Sequence, residues 1–216
     1  APAGFVGCVG DDLFRTMIVD GLTGSGVDVT HLRTVPGPSG IAHIRVDASG
    51  QNDIVIVPLA NSALSVEHVD AALTALAPTT SVLLTQLETP TELALHVART
   101  ARSLGIAVVL DPAPAIPLPD EVWASVDIVT PNETEASVLT GITVTDVETA
   151  TAAGRWFLDR GVTTAIITLA GEGAVVVTTD GVRQFTPFLV DAVDTTAAGD
   201  AFAGYGDFAA TWKQRR

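Results

Sequence analysis

The sequence predicts an α/β fold: a doubly wound, mostly parallel sheet flanked by helices, with a small β lid hairpin at about residues 38–58, in one domain over 1–216. Three observations lead there. From about residue 80 onward, short aliphatic runs alternate with segments of helical periodicity, which is the rhythm of β-α-β units. Hydrophobic residues make up 47% of the chain, charged residues 17% and aromatics 5%. Aliphatic and alanine side chains must therefore fill the core, as suits a parallel sheet buried on both faces. Finally, 216 residues match one large α/β core, for which roughly 200–250 residues is common.

In chain order, the first readable elements are Ser39–Val46 and Ile54–Val57, separated by the turn-like Asp47-Ala48-Ser49-Gly50. They predict a hairpin. Ser81–Leu87, Ile106–Leu110, Val126–Val129 and Ala165–Leu169 predict strands buried on both faces. Between them, Glu92–Leu104 has apolar positions at helical spacing and Gly105 as its stop. Asp146–Asp159 sets Val147, Ala150, Ala153, Trp156 and Phe157 on one side of a helix that ends before Gly161. Ala174–Thr178 and Arg183–Phe188 predict a second hairpin across Asp180-Gly181. There is no internal repeat and no low-complexity linker.

A formal charge of −14, from 25 acidic against 11 basic residues, repels polyanions and argues against a nucleic-acid partner. It leaves room for a nucleotide held by backbone amides, Mg²⁺ and helix N-termini. The one cysteine, Cys8, and the scattered His31, His43, His68 and His96 give no disulfide and no metal-ligand spacing. A cytoplasmic protein is the simplest expectation. No apolar run reaches the ~18–20 residues of a membrane span, so no membrane partner is expected either. The only lysine is Lys213, which excludes a Walker phosphate loop.

Residues 194–204 read Asp-Thr-Thr-Ala-Ala-Gly-Asp-Ala-Phe-Ala-Gly. This is a helix N-terminus stripped of long side chains. Ala197, Ala198 and Gly199 would leave backbone N–H groups open to an anion, with the helix dipole adding to their hydrogen bonds. Asp200, in the first turn beside them, is placed to take a proton from a hydroxyl attacking a bound phosphoryl group. Read alone, Ala-Ala-Gly-Asp is more simply a capped, tightly packed helix start.

The longer string resembles the C-terminal signature of the ribokinase family, also called the PfkB family of carbohydrate kinases, with Asp, Thr, Ala, Gly, Asp, Phe and Gly in matching places. Other stretches resemble the family in the same order. Asn132-Glu133-Thr134-Glu135 is similar to its Asn-x-x-Glu motif; the resemblance puts Asn132 near the nucleotide phosphates and Glu135 near Mg²⁺, largely through water. An ordinary capping box reads the same way. Thr168-Leu169-Ala170-Gly171-Glu172-Gly173 resembles the family's nucleotide loop, with Ala170 where glycine is usual; a simple turn would also need its glycines. Gln86-Leu87-Glu88 implies a sugar-contacting role for Glu88, which as a bare residue is equally a solvated loop acid. Val9–Asp12, Pro36–Gly40, Pro58–Asn61 and Asp111–Ala115 also resemble ribokinase segments, with Leu59 and Asp111 departing from glycine and asparagine.

The resemblance implies ATP and Mg²⁺ as cofactors, and a monovalent cation such as K⁺ at Asp194 and the carbonyl of Thr196. It implies transfer of a phosphoryl group to the 5-hydroxyl of ribose, with Asp200 as general base. A nucleoside or ketose kinase, or a non-catalytic nucleotide-binding or dimerising fragment, is the alternative. The family's Gly-Gly-x-x-x-Asn helix and N-terminal aspartate have no counterpart here, and Tyr205–Arg216 diverges from the family pattern. Little or no activity is therefore expected of these 216 residues by themselves. The lid hairpin, with open strand edges, suggests a homodimer.

Overall fold

The computed structural model describes residues 2–46, 52–187 and 197–204. They fall into two compact units, Ala1–Leu76 with Glu88–Leu93, and Ala77–Leu87 with the rest of the chain.

The first unit opens with β1 (Ala3–Gly10), α1 (Phe14–Gly24) and β2 (Val27–Val35). The two strands pair in parallel, with Gly10 opposite Val35. This β-α-β element was not among the sequence expectations. Its helix carries Phe14, Met17, Ile18 and Leu22 at helical spacing but buries none of its residues. The expected hairpin is present as β3 (Ile41–Val46) and β4 (Asn52–Val57), antiparallel with Ile41 opposite Val57. Its turn, Asp47–Gly50, lies outside the described residues. A 3-10 turn over Leu59–Ala63 and α2 (Val66–Leu76) complete this unit.

Three of the short segments that resemble the family meet here. The Asp11 carboxylate accepts the Gly37 N–H at 2.8 Å, and the Asp11 N–H donates to the Gly37 carbonyl at 3.0 Å. Asp12 accepts both the Ser39 N–H and its hydroxyl at 2.8 Å. The Ser39 hydroxyl oxygen accepts the Gly10 N–H at 3.1 Å, and the Ala60 N–H reaches the Pro38 carbonyl at 3.3 Å. The Ser39 backbone N–H is the main cause holding the Asp12 carboxyl below the usual carboxylate range.

The second unit is built on a six-stranded sheet. Its strands are β5 (Val82–Thr85), β6 (Ala107–Leu110), β7 (Ile128–Val129), β8 (Thr164–Thr168), β9 (Ala174–Thr178) and β10 (Gly181–Phe185). β5 to β8 run parallel; β9 and β10 are antiparallel additions. Its helices include α3 (Thr91–Ser103), α4 (Glu133–Thr140) and α5 (Val147–Leu158), and a further one spans 198–204. Residues of α3 from Ala94 onward belong to this unit. Gly105, at φ +77°, takes the left-handed turn that ends α3, as its place in the sequence predicts.

β5, β6 and β7 are shorter than the aliphatic runs suggested, while β8 keeps the expected length one residue earlier, and one expectation of burial fails. Among the described residues β5 is an outer strand of its sheet, and Leu84 on it is 40% exposed. An aliphatic run records buried neighbours only where the strand has them on both faces. Inside the sheet, Val108, Val109, Val129, Ala165, Ile167 and Val175 are fully buried. Against them pack Ala150, Ala153 and Phe157 of α5, together with Trp123. Trp123 meets Phe157 and Trp156 edge-on, at ring-centroid distances of 4.9 and 5.8 Å.

Candidate active site

The site of the second unit lies where its parallel strands end, which in open α/β sheets is the edge that binds ligands. Gln86 follows β5, Asp111 follows β6, Thr130 to Asn132 follow β7, and Leu169 to Gly173 follow β8. Backbone bonds stitch these loops sideways. The Asp111 N–H donates to the Thr85 carbonyl at 2.9 Å, Leu87 to Ala113 at 3.0 Å, Thr130 to Leu110 at 3.1 Å, and Thr168 to Pro131 at 3.0 Å. The loops thus continue the sheet's register past its last formal pairs, which fixes their side chains relative to one another.

Asn132 is the N-cap of α4. Its side-chain oxygen accepts the Glu135 N–H at 2.8 Å, and a Glu135 carboxylate oxygen accepts the Asn132 N–H at 2.9 Å. The capping box read from sequence is therefore formed. It does not exclude a ligand role, because a carboxylate has acceptor capacity beyond one N–H. Burial pushes the Glu135 carboxyl up, opposed by the Asn132 N–H and reinforced by the nearby Asp111 charge. Asp111 is itself only 6% exposed. In the same area the Thr130 hydroxyl is buried without a hydrogen-bond partner among the described residues. Hard oxygen donors of this kind suit Mg²⁺, which favours carboxylates and water over nitrogen or sulfur.

The raised Glu135 carboxyl makes a pH prediction. A carboxyl that binds its proton more tightly folded than unfolded adds stability while protonated, and that stability falls as pH rises from the ordinary glutamate range, ~4.3, through its higher folded value. Glu135→Gln keeps the bond to the Asn132 N–H but cannot ionise. The variant is expected to melt with the wild type at low pH and increasingly above it as pH rises to neutrality. Thermal melts of both proteins across that range check this; a constant gap would contradict it.

The β8 loop turns through Ala170–Glu172. Leu169 and Gly173 close it, the Leu169 N–H donating to the Gly173 carbonyl at 2.8 Å, and the Glu172 N–H to the Leu169 carbonyl at 2.7 Å. Gly173 has φ +94° and backs onto the Phe185 carbonyl so closely that no side chain fits.

Asp200 lies in the helix at 198–204, where the Ala201 N–H donates to the Ala197 carbonyl at 3.0 Å. Residues 197–200 are exposed, while Ala203, one turn on, is 2% exposed and seats the helix. The Gln86 side-chain amide donates to the Asp200 carboxylate at 2.9 Å. The structure thereby brings Asp200 to the strand-end edge that carries Asn132, Glu135 and Thr168 to Gly173. Glu88 stands in the loop before α3 and belongs to the first unit. Asp194 and Thr196 lie outside the described residues, as does Tyr205–Arg216. Gln86 and Thr130 lie at this edge without a role given to them from the sequence; Gln86 stands 114 positions from its partner, and local spacing does not pair them.

The family model for pfkB family carbohydrate kinases matches residues 1–205. This chain belongs to that family. The ribokinase of Haemophilus influenzae is 42% identical over 205 residues, covering 94% of this chain and 67% of that protein. The deoxyribokinase of Salmonella typhi is 38% identical over 198 residues, covering 91% of this chain and 64% of that protein. The structure of Arabidopsis thaliana ribokinase complexed with ribose and ATP superposes at a TM-score of 0.84 with 30% identity, covering 97% of this chain and 70% of that one. The chain thus spans about two thirds of the length of these PfkB relatives.

Both places where the PfkB resemblance expects glycine but this chain has a larger residue carry left-handed backbone: Leu59 at φ 44° and Ala170 at φ 41°. A side chain there costs roughly 1–2 kcal/mol, against roughly 0.5–1 kcal/mol for the added flexibility of glycine. Strain relief wins narrowly. Ala170→Gly is expected to stabilise the protein by up to about 1 kcal/mol, read as a higher denaturant midpoint at unchanged slope. A lower midpoint would show that the loop is unstrained.

Proposed function

We propose that this chain carries the phosphoryl-transfer site of an ATP-dependent sugar kinase that converts ribose to ribose 5-phosphate, with Asp200 as general base. The observation that carries the reading is an exposed Asp200 in the first turn of a helix whose leading residues, Ala197, Ala198 and Gly199, end at Cβ or before it. A carboxylate and a row of open N–H groups side by side are what attack by a hydroxyl on a phosphoryl group needs. Relatives named ribokinase, and a ribokinase structure complexed with ribose and ATP, support the substrate.

In this reading Asp200 accepts the proton of the 5-hydroxyl as its oxygen attacks the γ-phosphorus and the bond to the ADP oxygen breaks. The N–H groups at 197–199 stabilise the charge that gathers on the transferred group. Asn132 and the loop Thr168–Gly173 orient the nucleotide through backbone and side-chain contacts, and Glu88 contacts the sugar. Mg²⁺, when bound, would offset the charge of the phosphates, and Glu135 would hold it through its water shell. Asp194 and the carbonyl of Thr196 are the proposed K⁺ ligands.

Isothermal titration with Mg·ATP and, separately, with ribose tests the reading, together with a sensitive assay of ribose-dependent ADP release. Binding of both is expected, with turnover weak at most; binding of neither ligand sinks the reading. Nucleotide binding without turnover would favour a non-catalytic nucleotide-binding role. Turnover on 2-deoxyribose, fructose or a nucleoside in preference to ribose would move the substrate within the family.

We further propose a cytoplasmic location, on the ground of the lone cysteine, and a homodimer through the lid. Ile44, Ile54, Val55 and Val57 of β3 and β4 are 42, 45, 49 and 38% exposed, an apolar content that a two-stranded hairpin cannot bury alone. Sedimentation at high concentration is expected to give twice the chain mass. A strict monomer removes the dimer without touching the kinase reading.

A further inference from the structure

We infer that Gln86 is a positioning residue for the reaction, fixing the carboxylate of Asp200 on the end of β5. The inference rests on Asp200 being the general base.

A Gln86 side-chain nitrogen lies 2.9 Å from an Asp200 carboxylate oxygen. An ionised carboxylate only accepts hydrogen bonds, so the NH₂ end of the amide, not its oxygen, must face it. That bond occupies one carboxylate oxygen and leaves the other to receive the proton of an incoming hydroxyl. Glutamine has no proton to lose in this range and does not compete for the one being moved.

The amide is also well mounted. The residue before Gln86 accepts the Asp111 N–H at 2.9 Å, and the residue after it donates to Ala113 at 3.0 Å, so its backbone is pinned to the next strand's loop on both sides. Asp200 itself is exposed. Its helix is seated by Ala203, 2% exposed, one turn beyond. An exposed aspartate on a helix samples several rotamers unless something holds it, and misplacing a reacting group by about 1 Å costs about 10²-fold in rate. The Gln86 bond supplies the hold, from a residue that need not touch the substrate.

Two variants and two readouts test this in the full chain. Gln86→Leu removes the donor, and Gln86→Glu keeps the size while turning a donor into an acceptor facing another acceptor. Both are expected to lower kcat by about 10²-fold with KM for ribose and for Mg·ATP within about twofold, since a group that acts only on the base leaves ground-state binding alone. A merely structural role predicts that the near-isosteric Gln86→Glu is mild, or that KM and kcat move together; either result overturns the inference. The second readout does not need turnover. The Gln86 side-chain amide proton, followed by ¹⁵N-labelled NMR, is expected downfield in the wild type because its acceptor is charged, and at the position of a free amide in Asp200→Ala. An unchanged resonance overturns the contact. A wild-type chain that binds ATP and ribose but shows no turnover removes the positioning role together with the kinase reading. An active wild type with unaffected Gln86 variants removes only the role.

Discussion

Asp200→Ala is expected to reduce ribose-dependent ADP release by about 10²–10⁴-fold, the usual contribution of a positioned general base, while leaving the affinity for Mg·ATP within a few-fold. The split follows from geometry. Asp200 is exposed in the first turn of the helix at 198–204, so removing its carboxylate creates no cavity and strands no buried partner. The Ala197 carbonyl and the Ala201 N–H, 3.0 Å apart, keep the turn in place. The N–H groups at its start remain available to phosphate oxygens. Losing a base without losing the anion site lowers kcat and kcat/KM together. Titration calorimetry beside the coupled assay reads both quantities. Turnover that survives at more than about a tenth of the wild-type rate would take the role of base away from Asp200, leaving it the helix-start aspartate that its short motif equally allows.

The largest stability effect is expected at Trp123. Its side chain is 1% exposed and lies edge-on to Phe157, at 4.9 Å and 68°, and to Trp156, at 5.8 Å and 80°. Trp123→Ala removes the burial of a whole indole and leaves a cavity beneath α5, a change that costs about 3–5 kcal/mol. Each lost edge-to-face pair is worth up to about 1.5 kcal/mol of that. For a chain of this size the loss corresponds to roughly 10 °C in Tm, measurable by calorimetry. The indole N–H, buried without a hydrogen-bond partner among the described residues, partly offsets what the ring contributes. Trp123→Phe keeps an aromatic edge for its neighbours and deletes that donor, and is expected to lose less than half as much. A loss under about 1 kcal/mol for the alanine variant would mean that Phe157 and Trp156 close over the space.

Much of the second unit was legible because its physics is local. Central parallel strands such as Ala107–Leu110 see apolar neighbours on both faces and so appear as unbroken aliphatic runs. α5 shows its buried Ala150, Ala153 and Phe157 at helical spacing. Asn132 and Glu135 sit three apart and cap one another, which spacing alone predicts. The family string at 194–204 and the short motifs before it carried the functional reading, because the chemistry of a helix N-terminus depends on small residues in sequence.

Other features were settled only by tertiary structure. α1 buries none of its residues although Phe14, Met17, Ile18 and Leu22 stand at helical spacing, so its exposure could not be read from its pattern. Ser81–Leu87 looked like a strand buried on both faces, but among the described residues β5 has a sheet neighbour on one side only, and Leu84 is left 40% exposed. The left-handed backbone at Leu59 and Ala170 is a property of turn geometry that neither side chain advertises. The bond from Gln86 to Asp200 spans 114 residues; local propensity and periodicity act over a few residues, and only the closing of the sheet by its connections brings such a pair within hydrogen-bond reach.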